Sequence, residues 1–333
     1  MNISIRLLQE SELAEADHIF RLSFGTFLGL SDPISFFGDA DYVKTRFYSN
    51  PSAAYAAVSD DGKLLGSNFT ASWGSVGFFG PLTIHPNYWS KGIAKRLLEP
   101  TMQLFSKWNT KHAGLFTFAN SPKHIGLYQK FDFWPRFLTA IMSKEISQPK
   151  LKEEARNLKL SKYSEIVLEG THKDEKHLIE ECNKLTNSVY KGLNLEAEIR
   201  SVRRQKLGDT VLLWSQESDN HHDVERSQLI GLAVCHCGAG SEAGSNTCYV
   251  KFGAVKPGYN ADSDFEELLR ACESFAAEKD VNRLIAGANT GRYQAYTKML
   301  SNGFRTDMLG VAMQKGNDEG YNLQNVFIID DWR

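Results

Sequence analysis

The sequence predicts a mixed α/β (α+β) fold that occurs twice along the chain, in two similar domains. With 333 residues, the chain is long enough for two domains of ordinary size. Short apolar runs typical of strands alternate with segments whose apolar residues recur at helical spacing. A shift of 171 residues superposes part of the sequence on itself without a gap. The superposed pairs are His85-Pro86 with Lys256-Pro257, Leu97-Leu98 with Leu268-Leu269, and Phe133 with Phe304.

Each copy begins with a predicted β-hairpin. In the first copy, Ala54 to Ser59 and Leu64 to Ala71 are joined by Asp60-Asp61-Gly62, whose residue types favour a tight turn. In the second copy, Val211 to Trp214 and Leu229 to Cys235 are separated by a longer polar loop.

A strand, a loop and a helix start follow the first hairpin. Thr83 and Ile84 suit a strand, which His85-Pro86 ends. The small residues of Lys91-Gly92-Ile93-Ala94 allow backbone amides to approach a ligand closely. Free N–H groups at the positive end of a helix dipole attract phosphate, so this loop is a candidate phosphate or pyrophosphate site.

The next segment repeats the strand–loop–helix pattern. Leu115 to Ala119 is a predicted buried strand, and Asn120-Ser121-Pro122 is typical of a helix cap with proline in the first turn. A short helix from His124 to Lys130 should end before Phe131-Asp132-Phe133.

The second copy shows the same order of elements. It contains a strand, an amphipathic helix, a second strand and a second helix. They are predicted at Gly253-Ala254-Val255, Phe265 to Glu278, Leu284-Ile285-Ala286 and Ala295 to Leu300.

These residues resemble the GNAT superfamily of N-acetyltransferases. Its Gln/Arg-x-x-Gly-x-Gly/Ala loop corresponds to Trp89-Ser90-Lys91-Gly92-Ile93-Ala94, with Trp89 where the family prefers Gln or Arg. Its Tyr-x-x-x-Gly-Phe run corresponds to Tyr128-Gln129-Lys130-Phe131-Asp132-Phe133, with Asp132 where it prefers Gly. The resemblance implies two tandem GNAT-like domains, each a mixed, largely antiparallel sheet with a splayed central strand pair flanked by helices.

The resemblance also implies a site for acetyl-CoA as co-substrate. Backbone pairing along the strand would hold the cofactor arm, and the loop would hold the pyrophosphate. Asn120 would contact the arm, although it also suits a helix N-cap. The implied cofactor-binding residues are Leu82, Thr83, Ile84, Trp89, Ser90, Lys91, Gly92, Ile93, Ala94, Asn120 and His124.

Two side chains of the short helix, Tyr128 and His124, have both a functional and a simpler structural interpretation. The resemblance makes Tyr128 the general acid that protonates the departing CoA thiolate, whereas most Tyr residues in such positions only pack. His124 lies one turn earlier, so both can face one groove, although a solvated surface histidine is the commoner case.

The second copy differs from the first at the implied site. The shift places Asp262, Ser263 and Asp264 on Lys91, Gly92 and Ile93, and Met299 on Tyr128. Carboxylates repel a pyrophosphate, and methionine donates no proton. We therefore expect a cofactor-binding domain at residues 1–147 and a degenerate domain at 156–333 that binds no cofactor. The polar run Ser147 to Glu154 separates them, after Ile141 to Ile146 closes the first sheet.

Composition and charge restrict the cellular compartment and the classes of binding partner that we expect. A formal net charge of −2 gives no electrostatic case for nucleic acid or a membrane surface. Five cysteines do not suggest a disulfide framework, and the sequence has neither a signal-peptide pattern nor a long apolar run. These features favour the cytoplasm. Cys235-His236-Cys237 places its thiols and imidazole on opposite strand faces, so no metal site is predicted.

The expected function is transfer of an acetyl group from acetyl-CoA to a primary amine of a small molecule or peptide. No Asp or Glu lies between Ser72 and Tyr88, so the general base is unassigned and water can take the amine proton. Aromatic residues from Phe24 to Phe37 can line an apolar acceptor cleft. A non-catalytic acyl-CoA-binding or interaction module is the alternative, and a homodimer is left open. A Rossmann enzyme is excluded because no glycine-rich loop follows Ile3 to Leu8.

Overall fold

The computed structural model of the chain describes residues 2–146, 158–217 and 226–333. We refer to residues 2–146 as the first half and to the described residues from 158 to 333 as the second half. The expected boundary at Ser147 to Glu154 lies outside the described residues. No helix within the described ranges has both the length and the apolar character needed to span a membrane.

Strands and helices alternate along both halves. The strands are β1 (Ile3–Leu7), β2 (Ala54–Ser59), β3 (Leu64–Trp73), β4 (Val76–Phe79), β5 (Thr83–Ile84), β6 (His112–Thr117), β7 (Phe133–Glu145), β8 (Leu158–Lys162), β9 (Gly208–Glu217), β10 (Arg226–Gly238), β11 (Gly244–Val255), β12 (Arg283–Asn289), β13 (Arg305–Lys315) and β14 (Ile328–Ile329). The helices are α1 (Leu13–Leu28), α2 (Tyr42–Ser49), α3 (Ile93–Lys107), α4 (Pro122–Gln129), α5 (Tyr163–Glu169), α6 (His172–Val189), α7 (Glu196–Gln205), α8 (Ala261–Glu278) and α9 (Tyr293–Ser301). The mixed α/β fold, both hairpins and the predicted strand–helix order within each half are thus confirmed.

One mixed sheet runs through both halves. Its strand order is β1-β2-β3-β4-β6-β13-β7-β12-β11-β10-β9-β8, with β5 paired to β3 and β14 paired to β11. Most neighbours are antiparallel, but β4 and β6 are parallel, as are β11 and β12. Helices pack on the sheet and bury its apolar side chains.

The two halves exchange a strand at the centre of this sheet. β13 pairs with β6 through Val311 and Thr117, and β7 pairs with β12 through Ala140 and Ala288. The expectation that Ile141 to Ile146 closes the first sheet is therefore wrong, because β7 lies between two strands of the second half. Strand patterning predicts β7 itself but not its partners, which are distant in sequence.

The parallel strand pair of the first half separates into two arms. β4 pairs with β6 from Val76–His112 to Phe78–Gly114. The chain then acquires one extra residue, since Phe79 faces Thr70 whereas Thr83 faces Ser67, and it continues as β5 against β3. Such a bulge bends a strand. An opening between β5 and β6 results, and β11 and β12 form the corresponding pair in the second half.

Candidate functional site

The backbone of β5 presents hydrogen-bonding groups to the opening. The N–H of His85 donates to Leu65 O on β3 at 2.9 Å, so the peptide groups of Thr83 and His85 point towards β3. Because successive peptide groups of a strand point to opposite sides, those of Leu82 and Ile84 point into the opening. Across the opening, residues Leu115 to Thr117 of β6 pair with β13 on their far side only. A ligand of extended shape can therefore pair with β5 here.

The loop before α3 is shaped to present its amides. Ser90 and Gly92 have φ values of 64° and 77°, in the left-handed region, and both residues are exposed. Gly92 is the N-cap of α3. Because glycine has no side chain, it makes no capping hydrogen bond to the first N–H groups of the helix. Since those groups lie at the positive end of the helix dipole, they form a candidate phosphate site.

Lysine side chains surround this loop. Lys91 Nζ lies 4.9 Å from the centre of the Tyr88 ring. Lys123 Nζ donates to Ser90 Oγ at 3.2 Å and lies 5.6 Å from the centre of the Trp89 ring. Lys123 was not among the predicted site residues, because its distance along the chain from Ser90 conceals the contact. The cations complement a pyrophosphate electrostatically.

Trp89 connects the loop to the strand. Its indole Nε1 donates to Ile84 O at 2.7 Å, which satisfies the carbonyl of Ile84 that points into the opening. The side chain of Trp89 therefore fixes the position of the loop relative to β5.

Tyr128 lies on α4 at the base of the opening. Its ring centre is 5.7 Å from that of Phe79, at the end of β4. Burial raises the pKa of Tyr128 above its ordinary value, and Thr117 offsets this only in part. The hydroxyl is therefore protonated at neutral pH.

Two further predicted residues lie at the start of α4. The N-cap of α4 is Ser121, so the assignment of Asn120 as N-cap is wrong. The side chain of Asn120 is exposed and lies at the rim of the opening. His124 packs on Phe27 with ring centres 4.9 Å apart, and burial followed by the charge of Lys123 lowers its pKa.

Aromatic residues of α1 and the loop after it cover one side of the opening. The ring centres of Phe27 and Phe118 are 4.9 Å apart, and those of Phe24 and Phe118 are 6.1 Å apart. Phe24 also stacks on Phe36 at 5.3 Å. The segment expected to line an apolar acceptor cleft therefore packs next to the end of β6.

A buried ion network joins this site to the second half. Arg46 of α2 contacts Glu242 through Nε at 3.1 Å and donates from Nη1 to Gly80 O at 2.5 Å. Lys251 Nζ lies 2.9 Å from both Glu242 and Glu198. Burial opposes ionisation of both carboxyl groups, but Lys251 lowers the pKa of Glu198 to about 2, and Arg46 lowers that of Glu242 still further.

The corresponding loop of the second half has different chemistry. Asp262 pairs with Lys298 at 2.7 Å, and Ser263 Oγ donates to Asn260 O at 2.8 Å. Met299 is fully buried in the core. A cavity of about 690 Å³ lies between the start of α8 and α9, next to Phe327.

Four of the cysteines meet in the core of the second half. Cys235, Cys237, Cys248 and Cys272 pack together between β10, β11 and α8. All are free thiols. Within the described ranges, no group of three or more His, Cys, Asp or Glu side chains is arranged to hold a metal ion.

Comparison with family models finds a match within the first half. Residues 19–133 match the model of the acetyltransferase (GNAT) family, a span that includes β5, the loop before α3 and Tyr128. A search of the curated proteins finds no significant match.

Solved structures show the same fold over nearly the whole chain. A protein described as an acetyltransferase from Pyrococcus horikoshii is 12% identical, with a TM-score of 0.62 over 99% of this chain and 95% of that one. A GCN5-related N-acetyltransferase from Sphaerobacter thermophilus is 12% identical, with a TM-score of 0.57 over 94% of this chain and 95% of that one. A GCN5-related glucosamine N-acetyltransferase region of a fungal multi-domain GH3 β-N-acetylglucosaminidase is 10% identical, with a TM-score of 0.60 over 94% of this chain and 38% of that one. At these identities the likeness concerns the fold alone.

Proposed function

We propose that this chain, which carries a GNAT-family domain at residues 19–133, is an N-acetyltransferase that moves the acetyl group of acetyl-CoA to a primary amine. The observation that carries the proposal is the open backbone edge formed by Leu82 and by the amide of Ile84, beside a basic loop at the start of α3. An extended amide-containing arm that ends in a pyrophosphate complements both features at once.

In this proposal the loop and the strand hold the two ends of the cofactor. The amides before α3, with Lys91 and Lys123 nearby, bind the pyrophosphate. The arm pairs with β5 as an added strand. Asn120 and His124 lie at the rim, where they can contact the arm, and Trp89 keeps the loop at a fixed distance from the strand.

The amide of Leu82 is the best-placed donor to the thioester carbonyl. The N–H of Gly80 already donates to Phe69 O at 2.9 Å, and Pro81 has no N–H. The first amide after the bulge that points into the opening is therefore that of Leu82. A backbone donor aimed at the carbonyl oxygen stabilises the negative charge that develops there during attack.

The chemical step is direct attack of a neutral amine on the thioester carbonyl. The new C–N bond forms as the C–S bond breaks, Tyr128 donates its proton to the departing thiolate, and the amine loses a proton to water. Glu198 and Glu242 are too acidic to accept that proton at neutral pH, since each is held ionised by cationic neighbours. The acceptor is a small-molecule or peptide amine.

One assay tests the transfer. Purified protein is incubated with acetyl-CoA and a panel of polyamines, aminoglycosides, amino acids and peptides, and free CoA thiol is measured. We expect thiol release that depends on one class of amine. The lack of Asp and Glu between Ser72 and Tyr88 favours the alternative, an acyl-CoA-binding module. That alternative predicts cofactor binding by calorimetry without thiol release for any amine.

A further inference from the structure

The opening of the second half is filled by the chain itself. β14 pairs antiparallel with β11, with Ile329 opposite Gly253 and Ile328 opposite Ala254. The N–H of Val255 donates to Phe327 O at 3.4 Å. Ile328 and Ile329 are fully buried. The segment Phe327–Ile329 therefore lies as a short strand against the inner edge of β11.

The pairing occurs at the positions that match the proposed cofactor strand. The 171-residue shift places Gly253, Ala254 and Val255 on Leu82, Thr83 and Ile84. The N–H of Lys256 donates to Ile230 O at 2.7 Å, as His85 donates to Leu65 O in the first half. The peptide groups of Gly253 and Val255 consequently point into the opening, as those of Leu82 and Ile84 do.

The residues after the strand fix the segment on the other arm of the opening. Asp330 forms a buried ion pair with Arg292 at 2.7 Å. The Asp331 carboxylate accepts from Tyr249 Oη at 2.9 Å, and its side chain packs directly on Gly287 of β12, where a Cβ would clash. The segment thus crosses from β11 to β12 and contacts both.

The same segment then reaches the site of the first half. Trp332 covers Gly114 of β6, where a Cβ would collide with its ring, and stacks on Phe78 of β4 at 6.4 Å. The carbonyl of Arg333 accepts a hydrogen bond from Arg46, which also holds Gly80 O. The segment that fills the opening of the second half therefore continues into contacts with β4 and β6, the strands beside the opening of the first half.

We propose that the opening of the second half is a strand-binding groove whose ligand is the chain's own segment Phe327–Ile329, in the place that the first half keeps for a cofactor arm. The comparison with a cofactor arm rests on the proposed function, whereas the occupancy of the groove does not. The groove admits an extended peptide because the inner edge of β11 offers alternating N–H and C=O groups.

Hydrogen exchange of the full chain, read by mass spectrometry, tests this without any substitution. In the free protein, we expect peptides covering Gly253–Val255 to exchange at least tenfold more slowly than peptides covering Leu82–Ile84. Acetyl-CoA should slow exchange at Leu82–Ile84 only. Rapid exchange at Gly253–Val255 in the free protein, or added protection there with acetyl-CoA, overturns the proposal. Protection at Gly253–Val255 with no cofactor response at Leu82–Ile84 supports it and refutes the proposed function instead.

A substitution and a peptide give an independent test. Ile329→Glu places a charge in the groove and should speed exchange at Gly253–Val255, whereas Leu323→Glu, at an exposed position nearby, should not. A synthetic peptide with the sequence of residues 325–333 should restore protection to the Ile329→Glu protein, and a scrambled peptide should not. Restoration by acetyl-CoA or by the scrambled peptide overturns the proposal. If Ile329→Glu does not fold, the wild-type exchange rates decide.

Discussion

The guanidinium of Arg46 donates to the carbonyl oxygen of Gly80 at 2.5 Å, across 34 positions of the chain. Gly80 lies at the bulge that turns β4 into β5, two residues before the amide of Leu82. Arg46 is held in turn by Glu242, a residue of the second half. The second half therefore sets the direction of the strand with which we propose the cofactor pairs.

Removing the charge of Glu242 should destabilise the protein. In Glu242→Gln, Arg46 loses a buried partner and Lys251 keeps only Glu198. Breaking a buried ion pair on one side costs about 3–5 kcal/mol. Urea unfolding measures the loss. Glu180→Gln, at an exposed pair with Lys176, should change stability by less than about 0.5 kcal/mol, and equal losses in both variants would contradict the role of the network.

Valine at Gly92 should weaken cofactor binding. Gly92 has a φ of 77°, and a Cβ there would meet nothing within 4 Å, so the effect of Gly92→Val comes from backbone strain and not from a clash. That strain is about 1–2 kcal/mol, roughly a tenfold loss of affinity if the loop must regain its shape to bind.

Gly62→Val is the matched control for this loop. Gly62 has a φ of 83° and equally open space, but lies in the β2–β3 turn. Both variants should lose similar stability, and calorimetry should detect weaker acetyl-CoA binding only for Gly92→Val. Unchanged affinity in Gly92→Val would show that the loop does not bind the cofactor.

Removing the hydroxyl of Tyr128 should slow the transfer step. Tyr128→Phe keeps the ring against Phe79, so kcat should fall about 100-fold while KM for acetyl-CoA changes little. Met299→Leu, at the matching position of the second half, should leave the rate unchanged. Because burial raises the pKa of Tyr128, its ionisation should not reduce kcat below about pH 10. A wild-type rate in Tyr128→Phe would assign the proton to another donor.

His112 should make stability depend on pH. Its ring is buried among Tyr190, Tyr321 and Trp332, and burial lowers its pKa to about 4. Since the unfolded chain binds a proton near pH 6.5 and the folded chain does not, stability is full above pH 6.5 and declines as pH falls towards 4. The loss at pH 4 should be on the order of 3 kcal/mol.

Urea unfolding at pH 7 and pH 5 compares wild type with His112→Phe, which keeps an aromatic ring in the same pocket. The variant should show a smaller decrease in stability between the two pH values. An identical decrease in both proteins would assign the pH dependence to other groups.

The strands and helices around the opening could be predicted because each carries a local signal. Apolar runs mark β3 and β6, and the small residues before Ile93 mark the start of α3. The resemblance then supplied the roles of Tyr128 and the loop, which remain predictions. Helices α5 to α7 and strand β14 were missed, because the second copy was predicted only where it repeats the first.

Contacts between distant residues could not be predicted. Nothing near Arg46 in sequence indicates that it binds Gly80 or that its partner is Glu242. The exchange of β7 and β13 was hidden for a similar reason, since both strands follow equivalent helices and either could pair with β6. Pairing is decided by packing over the whole sheet, and patterning within a strand does not encode it.

The strand exchange is a swap of β7 and β13 between the two halves of one polypeptide chain. A fragment that ends at Ile146 would contain β7 but neither of the strands that flank it, and would expose the edge of β6. The pairing of β6 and β7 seen in the structure therefore requires residues 305–315. The separation of the two openings is also fixed by hydrogen-bonded strands, because β13 and β7 lie between β6 and β12 in the sheet.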